Sequence, residues 1–162
     1  MQIRQATTGD AARIAEIYNW YILHTIITFE TDTVSPQDMT KRIQEKLISY
    51  DWLVGKVNRE VIGYAYYGSF RSRAAYHHTV ESTIYLSQES MGKGFGRTLY
   101  AKLLESVKGH GFREVIGVIA LPNPQSIALH RALGFAEVGV LKKVGYKFER
   151  YVDVGLWQLS IA

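Results

Sequence analysis

The stretch from Thr79 to Leu104, TVESTIYLSQESMGKGFGRTLYAKLL, constrains the fold more tightly than any other part of the chain. It opens as a strand: Val80, Ser82, Ile84 and Leu86 share one face, and Thr79, Glu81, Thr83 and Tyr85 share the other. Gly92, Gly94 and Gly96 follow at every second position. Leu99, Leu103, Leu104 and Val107 then mark one side of a helix. Strand, glycine turn and helix, in that order, point to an α/β architecture.

Such a turn also carries chemistry. Three glycines let the backbone bend sharply and present N–H groups at a helix N-terminus, where unpaired donors and partial positive charge suit a phosphate-bearing ligand. Lys93 and Arg97 add point charge beside it. The spacing is neither the G-x-x-x-x-G-K-[ST] of a Walker loop nor the G-x-G-x-x-G of a dinucleotide fingerprint. A plain helix-start turn with surface cations fits the glycine spacing equally well.

The rest of the chain reads as alternating helices and strands. Ile3 to Gln5 is a short strand, and Thr8-Gly9-Asp10 caps a helix marked by Ile14, Ile17, Tyr18, Tyr21 and Ile22. A threonine-rich loop from Thr25 to Thr33 contains Phe29 and Glu30. Ser35-Pro36-Gln37-Asp38 starts a second helix, with Met39, Ile43 and Leu47 on its buried side. Trp52–Val57 and Val61–Tyr67 form a hairpin through Asn58-Arg59-Glu60, and a loop from Ser69 to His78 carries Arg71 and Arg73. After the central segment come a buried strand over Val115–Ala120 and a helix over Gln125–Leu133 ended by Gly134. Two late strands, Val138–Val144 and Asp153–Leu159, flank a polar segment from Tyr146 to Tyr151. This order gives one α/β domain over residues 1–162, with a mixed, mostly antiparallel central sheet flanked by helices.

Composition narrows the function classes. The 162 residues are 47% hydrophobic, enough for a substantial single core. No apolar run approaches the roughly 18 residues of a membrane span, and MQIRQATTGD lacks a secretory h-region, so a cytoplasmic location is expected. There is no cysteine, which excludes disulfides, thiolate metal sites and any cysteine-bound acyl intermediate. The net charge of +4 is spread along the chain without a basic stripe, so no nucleic-acid partner is expected.

Met91-Gly92-Lys93-Gly94-Phe95-Gly96 resembles the pyrophosphate loop of the GNAT N-acetyltransferase superfamily, usually Gln/Arg-x-x-Gly-x-Gly/Ala, with Met91 in the first place. Val80-Glu81-Ser82-Thr83-Ile84-Tyr85-Leu86 resembles the strand before that loop in the phosphinothricin and L-amino acid N-acyltransferase branch. Leu121-Pro122-Asn123-Pro124-Gln125-Ser126-Ile127-Ala128-Leu129-His130, followed by Leu133-Gly134-Phe135, is similar to the segment beside the pantetheine arm of acetyl-CoA. The resemblance runs from about Ile3 to Leu159. It implies the acyl-CoA N-acyltransferase fold and a direct transfer of acetyl from acetyl-CoA, in a ternary complex, to a small amino acid or analogue such as phosphinothricin, methionine sulfoximine or methionine sulfone. It also implies a homodimer and no metal. A polyamine, an aminoglycoside or a protein N-terminus would be an alternative acceptor, and a non-catalytic acyl-CoA sensor an alternative role.

Acetyl transfer to an amine needs a base for the amine, a donor for the carbonyl oxygen and a proton for the leaving thiolate. Glu81 sits mid-strand in an apolar run, where its carboxylate is either ion-paired with Arg71, Arg73 or a lysine, or raised in pKa toward a base's range. From a reference of about 4.3 a base near neutrality needs a rise of roughly two units or a bridging water. The resemblance makes it the base. It also assigns the Met91–Gly96 loop, with Arg97 and Thr98, to the pyrophosphate, and the backbone of Ile84, Tyr85 and Leu86 to the pantetheine and oxyanion. Asn123 and Ser126 read as turn and cap residues in their own right, and by resemblance as cofactor contacts. His130 stands where many relatives have a tyrosine; it is either a proton donor or a structural histidine. Arg71 and Arg73 are either solvated loop arginines or a bidentate clamp for an acceptor carboxylate. Phe29 resembles a residue that closes the acceptor pocket.

Overall fold

The computed structural model describes residues 1–161. In chain order its elements are β1 (Gln2–Gln5), α1 (Ala11–His24), α2 (Pro36–Leu47), β2 (Trp52–Val57), β3 (Glu60–Ser69), β4 (Thr79–Leu86), α3 (Phe95–Gly109), β5 (Glu114–Leu121), α4 (Pro124–Ala132), β6 (Ala136–Lys147) and β7 (Arg150–Ser160). The strands form one seven-stranded sheet in the order β1-β2-β3-β4-β5-β7-β6. Every pairing is antiparallel except β4 with β5. No described helix is long and apolar enough to cross a membrane.

Apolar periodicity decides which helix covers which face. Ile14, Ile17, Tyr18, Tyr21 and Ile22 of α1 pack with Met39 and Ile43 of α2 against Trp52, Val54 and Tyr64. On the opposite face Leu99, Tyr100, Leu103 and Val107 of α3 are wholly buried against Ala65, Tyr67, Val80 and Val115. Burying each such side chain contributes roughly 1.5–3 kcal/mol before entropy is counted. Helix α2 starts where its sequence says: Ser35 accepts the Asp38 N–H at 3.0 Å, and Pro36 occupies the first helical position.

Two segments differ from the sequence reading. The polar segment from Tyr146 to Tyr151, expected to lie between the two late strands, belongs mostly to them: β6 and β7 run through it and meet in a two-residue turn, with Lys147 paired to Arg150. Phe148 and Glu149 take positive φ of 51° and 58° there, as Asn58 and Arg59 do at the β2–β3 turn. Phe-Glu is not the Asn-Gly pair that normally announces such a turn, because cross-strand pairing supplies the free energy that local propensity does not. The Ser69–His78 loop likewise begins as the last residue of β3 and contains a short 3-10 turn over Ala74–Tyr76.

The parallel β4–β5 ladder is short. It joins Thr79–Ser82 to Glu114–Gly117 and then stops, although β4 continues to Leu86 and β5 to Leu121. The two strands diverge from that step, and the sheet opens between them.

The entry to the domain is held by one carboxylate. Arg4 of β1 donates to both oxygens of Asp10 at 2.8 Å, and the Thr7 N–H and hydroxyl donate to the same group at 2.8 and 3.1 Å. The Arg4 hydrogen bonds hold the Asp10 carboxyl below its ordinary value. This stabilisation is complete above the unfolded-state pKa of about 3.9 and is lost as pH falls through the lower folded-state value. Asp10→Ala is expected to destabilise the domain by roughly 1.5–3 kcal/mol at neutral pH, and the gap from wild type should close below about pH 4. Urea unfolding at both pH values measures it; a gap independent of pH contradicts the account.

Candidate active site

The opening between β4 and β5 exposes backbone as well as side chains. Ser87 N–H donates to Ile62 O at 2.8 Å and Phe70 N–H to Thr79 O at 3.4 Å. With the β3–β4 register, this alternation turns the N–H and C=O of Ile84 and Leu86 away from β3, toward the opening. The Tyr21 hydroxyl donates to Leu86 O at 2.7 Å. Ile84 has no β5 partner.

A cavity of about 210 Å³ occupies the opening, with Glu81, Tyr100, Asn123, Ser126 and His130 on its walls. A second, of about 370 Å³, runs from it over Leu86 to Met91, Gly92, Gly94, Gly96 and Arg97. Ile27, Ile84, Tyr85, Asn123 and Ser126 line both, so the two are one continuous channel.

The glycine turn lies at the outer end of that channel. Gly92 and Gly94 adopt φ of 72° and 79°, a region costly for residues with a Cβ, and nothing approaches their Cβ positions within 4 Å. Gly94 caps α3, and the first intrahelical bond runs from Thr98 N–H to Gly94 O at 3.4 Å. The N–H groups of Phe95, Gly96 and Arg97 therefore have no intrahelical acceptor and face the approach to a 15-residue helix. Met91 turns inward, its sulfur 3.8 Å from the Tyr21 hydroxyl. Lys93 and Thr98 are exposed and Phe95 half-buried; none of the three lines the channel.

Glu81 stands at the last steps of the β4–β5 ladder, paired with Ile116 on one side and Gly68 on the other. It is half-buried in the middle of the sheet and makes no ion pair among the described residues. Burial pushes its carboxyl up from the ordinary value, and the nearby Lys46 ammonium pulls it partly back.

His130 is 5% exposed. Its Nδ1 faces the Ser126 carbonyl at 2.8 Å, and its Nε2 lies 3.2 Å from the Tyr100 hydroxyl, itself 2.6 Å from Ser82 Oγ. Burial lowers the imidazole pKa and keeps the ring neutral at pH 7. The carbonyl contact then requires the proton on Nδ1, so Nε2 accepts from Tyr100 and Tyr100 accepts from Ser82. The relay runs one way. Gly117 permits it, since a Cβ there would sit 2.5 Å from Nε2.

The loop before α2 forms a fixed wall. Thr28 Oγ1 donates to Tyr18 OH at 2.7 Å, and Tyr18 donates to Glu30 at 3.0 Å. Arg42 grips Glu30 at 2.6 and 3.0 Å. The buried Lys147 ammonium donates to Thr28 O at 2.8 Å. Phe29 lines the cavity, its ring over Gly145, where a Cβ would collide with it.

Of the expected residues, the fold brings together Glu81, His130, Ile84, Tyr85, Leu86, Met91, Gly92, Gly94, Gly96, Arg97, Asn123, Ser126 and Phe29 along this channel. Arg71 and Arg73 line neither cavity. Arg71 is exposed, its guanidinium stacked 4.9 Å from the Phe70 ring centre and 5.6 Å from that of Tyr76. Sequence reasoning missed Tyr100, Ser82 and Thr28. Only Ser82 left a trace: a hydroxyl on the otherwise apolar face of Val80, Ile84 and Leu86. Ser106, His110 and Asp51 also gather, but the Ser106 hydroxyl donates straight to Asp51 and His110 Nδ1 faces the Ser106 carbonyl, so no ring nitrogen activates the serine. Among the described residues no three metal-ligating side chains meet.

Comparison with known proteins agrees with this geometry. Residues 3–156 match the acetyltransferase (GNAT) domain family. The chain is 42% identical over 158 residues to the phosphinothricin N-acetyltransferase of Streptomyces viridochromogenes, covering 98% of this chain and 86% of that protein. It is 35% identical over 162 residues to the L-methionine sulfoximine/L-methionine sulfone acetyltransferase of Salmonella typhimurium, covering 99% and 95%. A GNAT superfamily phosphinothricin acetyltransferase from Sinorhizobium meliloti, solved in complex with acetyl-CoA, superposes with a TM-score of 0.95 at 40% identity over 98% of this chain and 87% of that one. An open β4–β5 step, a glycine-capped α3 and these likenesses together make the chain a member of the GNAT acetyltransferase family.

Proposed function

We propose that the protein is an acetyl-CoA-dependent N-acetyltransferase whose acceptor is the amine of a small amino acid or analogue of the phosphinothricin or methionine sulfone kind. The observation that carries this is the placement of Glu81, an unpaired half-buried carboxylate at the point where β4 and β5 part. The glycine turn lies at the other end of the same channel.

The residues fit the co-substrate. The free N–H groups of Phe95, Gly96 and Arg97, with the Arg97 and Lys93 charges, suit a pyrophosphate. The unpaired edge of β4 at Ile84 suits the amides of a pantetheine arm, and Asn123 and Ser126 form the opposite wall. Acetyl-CoA supplies the thioester carbonyl. Glu81, directly or through a water, takes the proton that the attacking amine loses as the C–N bond forms. The Ile84 N–H stabilises the oxygen that becomes negative while the carbonyl carbon is tetrahedral. As the C–S bond breaks, the Tyr100 hydroxyl turns its proton from His130 Nε2 toward the sulfur, and His130 positions that hydroxyl. Arg71 and Arg73, on the loop that leads into β4, are left for the polar far end of the acceptor side chain. A second copy covers the exposed apolar edge of the β6–β7 hairpin, where Val138, Leu141, Val144, Tyr146, Phe148 and Tyr151 all face outward.

The deciding experiment is thiol release from acetyl-CoA with phosphinothricin, methionine sulfone, ordinary L-amino acids, spermidine and an aminoglycoside, the protein itself contributing no thiol. Release confined to the amino acids and analogues is expected; release only with spermidine or the aminoglycoside replaces the acceptor class. Glu81→Gln should lower kcat by roughly 100- to 10,000-fold and erase the acid limb of the kcat/KM profile, which in wild type rises as the raised Glu81 carboxyl loses its proton. An intact limb in the variant removes Glu81 as base. Tyr100→Phe should reduce kcat roughly 100-fold with acetyl-CoA affinity unchanged, and His130→Gln by less; equal loss of affinity would mark a packing defect instead. Light scattering should give a dimer mass for wild type and a monomer mass for Val144→Glu/Tyr151→Asp, and a monomeric wild type rejects the assembly.

A further inference from the structure

Beneath α2, on the sheet face that carries Glu81, lies a cavity of about 270 Å³ that the channel does not use. Tyr18, Tyr50, Trp52 and Tyr66 wall it, and Arg42 and Lys46 bring cations to it. The two cations differ. Arg42 is already bound to Glu30 through both its terminal nitrogens. Lys46 is half-buried yet pairs with no carboxylate among the described residues.

The Lys46 ammonium lies 5.5 Å from the Tyr66 ring centre and 5.7 Å from that of Tyr50. It also lies directly over Gly68, where a Cβ would meet Nζ at 2.5 Å. Gly68 is the register partner of Glu81, so cation and carboxylate stand across one strand step on one face. Each feels the other's charge, but they do not close into an ion pair. In the same wall the buried indole N–H of Trp52 has no acceptor among the described residues. Two facing, unjoined charges with an unused donor beside them are complementary to a ligand that carries both charges itself. An amino acid does so, with its amine and carboxylate separated by a single carbon.

Building on the acetyltransferase reading above, we propose that Lys46 holds the α-carboxylate of the acceptor while Glu81 faces its amine. The aromatic cavity under α2 is then an acceptor subsite, and Arg71 and Arg73 are left to the far end of the acceptor side chain. Lys46 thereby sets the preference for α-amino acids over simple amines.

The test is steady-state kinetics on wild type, Lys46→Met and Lys46→Arg, on the alkaline plateau of the pH profile, with methionine sulfone and its α-carboxamide as acceptors. Lys46→Met should raise KM for methionine sulfone about tenfold or more with kcat little changed, leave KM for the carboxamide unchanged, and be largely rescued by Lys46→Arg. Acetyl-CoA should raise the Tm of all three proteins equally. An equal rise in KM for acid and carboxamide, or no rise, overturns the assignment while leaving the acetyltransferase intact. A wild type that releases no thiol with any amine overturns the acceptor reading and Lys46 with it.

Discussion

Backbone hydrogen bonding between β4 and β5 ends at the Ser82–Gly117 step, and the functional geometry hangs on that termination. A continuous ladder would satisfy Ile84 with β5 and leave no room for a ligand. Divergence instead frees one edge of β4, places Glu81 at the mouth of the gap and lets His130 lie over Gly117 on the β5 side. Unpaired backbone in a sheet interior is costly unless something else bonds to it. Tyr21 meets that need at Leu86, and the pantetheine arm of the proposed co-substrate would meet it at Ile84. Helix α3 then points its unbonded N-terminal groups down the same line because the chain leaves β4 through Gly92 and Gly94.

Electrostatics within the gap follow from which groups are paired and which are not. Glu30 and Asp10 are held below their ordinary pKa by arginines that bond to them directly. Glu81 is pushed the other way, because it is buried without such a partner. The fold keeps Lys46, which reaches down from α2 over Gly68, apart from Glu81 on β4. Asp10 and Glu30 are each gripped by an arginine, and Glu81 at the gap has no such partner among the described residues.

Much of this was legible in the sequence, for identifiable reasons. Alternation in Thr79–Leu86, the Ser35-Pro36 cap and the apolar spacing of α1 and α3 are local signals, and the structure follows them. The glycine turn was readable because positive φ leaves a compositional mark. The Phe148–Glu149 turn was not, since long-range pairing of β6 with β7 imposes it on residues with no preference for it. Tyr100 was hidden by its own spacing: it falls on the buried side of α3 beside Leu99 and Leu103, and nothing marks it as polar. Its partners Ser82 and His130 lie 18 and 30 residues away, a juxtaposition only the fold creates. Thr28 depends similarly on Lys147, more than a hundred residues later.

The wall built on Thr28 bears on how ligands are recognised. Its hydroxyl, its carbonyl and the neighbouring Glu30 are each tied to a different element: α1, β6 and α2. Ordering a free loop costs roughly 1–2 kcal/mol per residue, and here that cost is met when the chain folds. Ligand capture therefore does not draw on it. If the proposed acceptor enters past this wall, it meets a gauge rather than a lid, because the side chains that bound its length and bulk are already held in place. Selectivity there would reside in dimensions, and one methylene more in the acceptor would be met as steric misfit.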